Sequence, residues 1–136
     1  MNNGKYVFAQ ITSFLSSRIF DKCVLKHAGN KWVKHFSCWN QLMCMMFGQL
    51  SGRESLRDLL ITVSAHSNKY YHLGFDKNVS RTNLAIANEQ RNCCIYESFA
   101  YEMITIARGF IMDETYFTLL ITGYIYAFDF TTIDLC

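Results

Sequence analysis

Apolar residues recur three and four positions apart over most of this chain, the period of a helix with one buried face. Val7, Phe8, Ile11, Phe14 and Leu15 follow it, which predicts a helix over Lys5–Leu15. Ile19, Phe20, Cys23 and Val24 form the next stripe, with Ser17 placed to cap that helix and Gly29 to end it. Ser37 is placed to cap a third helix carrying Trp39, Leu42, Met43, Met46, Phe47 and Leu50 into the core. Gly52 then breaks the period. Ser55-Leu-Arg-Asp58 has the form of a capping box, opening a fourth helix that runs to about Ser64. After a polar loop over 67–79, Ser80 caps a fifth and long helix from Arg81 to about Arg108. Its stripe is Leu84, Ala87, Cys94, Ile95, Phe99, Met103 and Ile106, with Gly109 as the stop. Beyond it the period shortens to that of strands. Tyr116–Ile121 and Tyr124–Phe130 read as a hairpin turning at Gly123, which would open an α/β domain. The expected fold is therefore mainly α. About five helices, including a helix-turn-helix-like pair, occupy residues 1–109, and the start of a second domain occupies 110–136.

Composition sharpens this picture. The chain has no proline, where an average chain of 136 residues holds roughly seven, so the commonest helix breaker is missing. The longest apolar-rich runs, Phe36–Leu50 and Tyr116–Phe128, fall short of the ~20 residues that span a bilayer, so no membrane partner is expected. The six cysteines form no C-x-x-C pair and show no metal-ligand spacing with the histidines, which predicts free thiols. Net charge is only +2 but unevenly spread. Residues 1–60 carry eight basic groups against three acids, and residues 96–136 carry one against six. A basic front suits a phosphate-binding surface, although a solvated helical surface has the same appearance.

Three constellations carry possible chemistry. In the fourth and fifth helices, Arg53 and Arg57 flank one N-terminus, while Ser80, Arg81, Asn83 and Asn88 lie on the early turns of the other. Helix N-termini attract phosphates, and Arg and Asn are the side chains that read guanine and adenine edges. The loop between these helices is longer than helix-turn-helix units use, so plain surface polarity is the competing reading. The second constellation is the run Lys22, Lys26, Lys31, Lys34 with Trp32 and His35 interleaved, able to track phosphates and stack on an unpaired base, or to be ordinary solvated lysines. The third is Asp129, at the end of an apolar strand and suited to Mg²⁺, though a lone carboxylate there is more often a turn or cap residue.

Taken together, three stretches resemble the insertion-sequence-four-type transposases, whose catalytic domain is ribonuclease-H-like. Phe36-Ser-Cys-Trp-Asn-Gln-Leu-Met-Cys-Met-Met-Phe-Gly-Gln-Leu50 with Gly52-Arg-Glu-Ser-Leu-Arg-Asp-Leu59 resembles their N-terminal domain. His72-Leu-Gly74, Ser80-Arg-Thr-Asn-Leu-Ala85 and Ala87-Asn88 continue the likeness. Tyr126-Ala-Phe-Asp129 and Thr131-Thr-Ile-Asp-Leu-Cys136 resemble the segment bearing the first of three catalytic acids. The resemblance implies a bacterial, cytoplasmic and nucleoid-associated protein that binds double-stranded DNA at element ends. It also implies association with a second copy or with full-length transposase. The family's two Mg²⁺ ions would have Asp129 as one ligand. The second and third acids do not occur in this chain, so it is expected to be incompetent in cutting by itself, as from a truncated or decayed element copy. Departures from the family pattern fall at Ser16, Cys93-Cys94, Tyr124-Ile125 and Phe130. Two other readings stay open: a non-enzymatic regulator that binds DNA or transposase, and an unrelated helical interaction module.

Overall fold

The structure, a computed structural model, describes residues 6–67, 73–75 and 79–113, the last three without their side chains. These residues form six helices and, among them, no strand: α1 (Val7–Thr12), α2 (Ser17–Lys26), α3 (Cys38–Leu50), α4 (Leu56–Ala65), α5 (Arg81–Gln90) and α6 (Cys94–Asp113). The strands expected at Tyr116–Ile121 and Tyr124–Phe130 lie outside the described residues.

Serine side chains start four of the helices. The hydroxyl oxygens of Ser16, Ser37, Ser55 and Ser80 each accept from the backbone N–H three residues on, which satisfies a donor the helix itself leaves unpaired. Three of these caps are the expected ones. For α2 the cap is Ser16, and Ser17 is already helical. The first helix ends at Thr12, short of the expected Leu15; Val7 on it and Phe14 beyond it face solvent while Phe8 is buried.

The helix ends correct the sequence reading in three places. The end of α3 is a Schellman turn with Gly52 in the left-handed conformation (φ 62°); Gly52 N–H donates to Gln49 O, and Arg53 N–H to Gly48 O. The same turn closes α2, but the left-handed residue is Ala28 (φ 50°), not Gly29. Ala28 N–H donates to Leu25 O, and Gly29 N–H to Val24 O. Gly29 serves another purpose: a Cβ there would come within 2.4 Å of Ile95 Cδ1 and 2.9 Å of Cys38 Sγ. Next, the single helix expected over Arg81–Arg108 is two. Arg91 turns extended (φ −76°, ψ 142°), and Asn92 Oδ1 then accepts from Cys94 N–H to open α6. Finally, Gly109 does not stop α6, which continues to Asp113.

Packing makes two apolar clusters that share α3. The first joins Phe8, Phe36, Met43, Cys44, Leu59, Leu60, Val63, Leu73, Phe75, Val79, Leu84 and Ala87, drawn chiefly from α1, α3, α4 and α5. The second joins Phe20, Cys23, Val24, Cys38, Ile95 and Phe99, from α2, the start of α3 and α6. Leu15, Trp39 and Leu42 touch both. Phe20 is fully buried and meets Trp39 and Phe99 edge-on, with centroids 5.4 and 5.1 Å away. Cys23, Cys38 and Cys44 are buried free thiols; burial pushes the Cys44 thiol up to about 12. Of the stripe predicted for the fifth helix, Leu84, Ala87, Ile95 and Phe99 are buried and Cys94 is half-buried, whereas Ile106 faces solvent, as does Leu50 at the end of α3. Among the described residues no helix is long and apolar enough to cross a membrane.

Candidate nucleic-acid interface

α4 and α5 pack against each other, so the pair inferred from Ser55 and Ser80 exists as adjacent helices, joined by a loop longer than a helix-turn-helix unit uses. The face of α5 that matters is set by its period. Asn83, Ile86, Ala87 and Gln90 stand at i, i+3, i+4 and i+7 and together form one wall of a cleft of about 590 Å³. The loop between α2 and α3 forms the other wall with Lys31, Trp32, Val33, Lys34 and His35, while Phe36, Arg91 and Asn92 line its base. Two constellations separate in the sequence, the Lys31/Trp32/Lys34 run and the start of α5, thus meet across one concavity. Among the described residues lining it there are three cations (Lys31, Lys34 and Arg91), two histidines and no carboxylate.

The loop wall is a built turn. Lys31 N–H donates to Ala28 O, Val33 N–H to Asn30 O, and Asn30 Oδ1 accepts from Cys38 N–H at 3.0 Å, tying the loop to the first turn of α3. Trp32 has φ 67°, in the left-handed region, and its side chain is 89% exposed.

Arg91 fixes the base. Its guanidinium lies over the Phe36 ring, 5.4 Å from the centroid. It donates to the carbonyl oxygen of Ser37 at 2.9 Å, to that of Phe36, and to Gln41 Oε1 at 2.9 Å. Gln41 is itself buried; its Oε1 also accepts from Tyr96 Oη at 2.7 Å, and its Nε2 donates to Asn88 Oδ1 at 2.6 Å. Burial raises the Tyr96 and Cys38 hydrogens' ionisation above their ordinary range, with Arg91 opposing in both cases. Sequence reading had not singled out Arg91 or Gln41. The available signal was Asn92, an Asx residue directly before an apolar stripe, which marks a helix start.

The remaining sequence candidates divide. Arg81 and Ser80 are exposed at the N-terminus of α5, beside the cleft in sequence but not lining it. Arg53 and Arg57 are exposed around the start of α4 and do not line the cleft. Asn88 is exposed beside α3, its Oδ1 accepting from Gln41 Nε2 and its amide N–H donating to Met45 Sδ. Asp129 lies outside the described residues. Among the described residues no three His, Cys, Asp or Glu side chains converge on a possible metal site.

A family model described as a domain of unknown function, DUF4372, matches residues 3–76, just over half of the chain. The chain belongs to this family, a domain found at the N-terminus of transposases. The match covers α1 to α4 and the loop wall of the cleft; the α5 wall lies beyond it. No curated protein and no solved structure matches the chain.

Proposed function

We propose that this chain is the N-terminal part of an insertion-sequence-four-type DNA transposase and that it binds element-end DNA. The observation that carries the reading is the cleft between the 28–36 loop and α5, which gathers Lys31, Lys34 and Arg91 with no opposing carboxylate among its described lining. Family membership supports it, since the domain occurs at the N-terminus of transposases. Lys31, Lys34, Arg53 and Arg57 are the exposed cations assigned to phosphate, and Arg81 and Asn83 the side chains assigned to base edges. Ser80 presents the N-terminus of α5, capped by its own hydroxyl. Asn88 is withdrawn from base contact because its amide is held by Gln41 and Met45. Asp129 is assigned as one ligand of the family's Mg²⁺ pair; a two-metal centre requires further carboxylates beside it.

The test is a titration of end-sequence and scrambled duplexes at several salt concentrations. Lys31→Ala and Lys34→Ala are expected to weaken binding to every sequence alike, each lowering the slope of log K against log salt by about 0.9. Asn83→Ala is expected to reduce the preference for element ends by roughly 1–3 kcal/mol while leaving the slope unchanged. Affinity that is absent at low salt, or flat across salt, would leave a helical interaction module as the better reading.

A further inference from the structure

We infer that the cleft between the 28–36 loop and α5 is a pocket for an unpaired nucleotide, with the base stacked on Trp32 and its phosphate between Lys31 and Lys34. The inference rests on the DNA-binding reading and adds the form of nucleic acid that this surface takes.

Four observations lead to it. The cleft, at about 590 Å³, has the volume of a small-molecule site and is open to solvent, so it could receive one nucleotide of a longer strand. Its charged lining, Lys31, Lys34 and Arg91 without a described carboxylate, selects an anion. Trp32 presents 89% of its surface to solvent, from a left-handed backbone conformation that is costly for any residue with a Cβ. Nothing in either apolar cluster repays that cost, since Trp32 belongs to neither. That conformation belongs to the turn that Asn30 ties to α3, which places Trp32 outside both apolar clusters and among the residues lining the cleft. Across the cleft, Asn83 and Gln90 bring two carboxamides to the same face of α5, with Ile86 between them.

These parts match the chemistry of one nucleotide. An indole face is used by a base whose own face is free, which in a duplex is covered by its neighbours. Stacking of this kind tolerates any base. Carboxamides donate and accept in the pattern of base edges, and lysines hold phosphate as point charges. A duplex could use the lysines and present a base edge to Asn83, but it would leave the exposed Trp32 without a role. The same chemistry is offered by a free nucleotide and by an unpaired residue within a strand.

The experiment is a fluorescence titration of the whole chain at fixed salt with four probes: a thymidine decamer, the same decamer with abasic residues, a duplex of equal length, and thymidine monophosphate. The chain has two tryptophans, and Trp39 is half-buried with its indole N–H donating to Gly74 O, so a ligand in the cleft is read through Trp32. The decamer is expected to quench emission, and Trp32→Leu to abolish the quench and weaken decamer binding roughly 5- to 150-fold. Trp32→Phe should keep part of the affinity. Circular dichroism should be unchanged in both variants, because the side chain lies outside the core. Quenching by the monophosphate at similar concentration would assign the pocket to free nucleotides, against the inference. Equal quenching by the abasic strand, or decamer affinity unchanged in Trp32→Leu, would overturn it. Salt-dependent duplex binding that persists alongside such a failure would leave the DNA-binding reading standing, whereas absence of binding to any probe would remove both.

Discussion

Gly29 offers a direct test of how α2, α3 and α6 meet. Its backbone is not in the left-handed region, so Gly29→Ala brings no conformational penalty; by removing freedom from the unfolded chain it should even stabilise by about 0.4–1 kcal/mol. The obstacle is space. The new methyl would lie 2.4 Å from Ile95 Cδ1 and 2.9 Å from Cys38 Sγ, both on fully buried side chains. Ile95 sits in the cluster with Phe20 and Phe99, so its terminal methyl has little room to swing aside. Overpacking of this kind costs about 1–3 kcal/mol, leaving a net loss of about 1–2 kcal/mol. Ile95→Val deletes the very methyl that collides, at a cost of about 0.5–1.5 kcal/mol alone. In the double variant the Gly29→Ala penalty should shrink to a few tenths of a kcal/mol, the remainder coming from Cys38 Sγ. The measurement is urea unfolding of the four proteins of the cycle, followed by circular dichroism, with slopes compared to confirm the same transition. Costs that add within about 0.3 kcal/mol would mean that Gly29 and Ile95 are not in contact, and the packing of α6 against the end of α2 would be refuted.

The neighbouring residue should behave oppositely: Ala28→Gly relieves a left-handed alanine worth about 1–2 kcal/mol, less the entropy glycine brings, for a net gain of about 0.5–1 kcal/mol in the same unfolding assay. Arg91→Met keeps the bulk over Phe36 but leaves the carbonyls of Phe36 and Ser37 without their guanidinium donor; a loss of about 2–4 kcal/mol is expected, and a loss below about 0.5 would show that the clip is ornamental. Alkaline pH should destabilise the fold. The Cys44 thiol ionises near its ordinary 9.0 when unfolded but only at about 12 when folded, so the unfolded state releases the proton first. Stability is then full below pH 9 and falls by up to about 1.4 kcal/mol per pH unit above it. Tyr96, also raised by burial, steepens the fall, and Cys44→Ala should make the slope shallower across pH 9–11.

Local chemistry was the legible part of this fold. Ser37, Ser55 and Ser80 cap helices through bonds that close within three residues, so their role is written in adjacent positions. Gly52 was read correctly for the same reason: the turn it closes spans Gly48 to Arg53. Arg91 is hard to see because its one local sign, Asn92 before an apolar stripe, leaves the helical period of apolar residues unbroken. Its extended backbone is stabilised by carbonyls of Phe36 and Ser37, more than fifty positions earlier. Gly29 and Ala28 were confused because glycine is the usual left-handed residue, whereas here the need for a missing Cβ comes from Ile95, far along the chain. Gly109 does not end the helix: α6 runs through it, and among the described residues no atom lies within 4 Å of where its Cβ would be. The candidate site divides likewise. The lysines flanking Trp32 are visible as a run, but that Asn83 faces them while Asn88 turns to Gln41 depends on how α5 is rolled against α3.

The order in which the two clusters draw on the chain has a consequence for synthesis. The family match ends at residue 76, yet neither cluster is complete there. The first still awaits Val79, Leu84 and Ala87, and the second has Phe20, Cys23, Val24 and Cys38 but neither Ile95 nor Phe99. On a translating ribosome adding roughly 5–20 residues per second, the stretch from residue 76 to Phe99 takes on the order of one to five seconds. Throughout that interval α2 has no α6 to cover it, and Phe20 is available to any other nascent or chaperone surface. The boundary of the matched domain is thus not a boundary of folding: α6, the last of the described helices to be made, closes a core whose other half was among the first parts made.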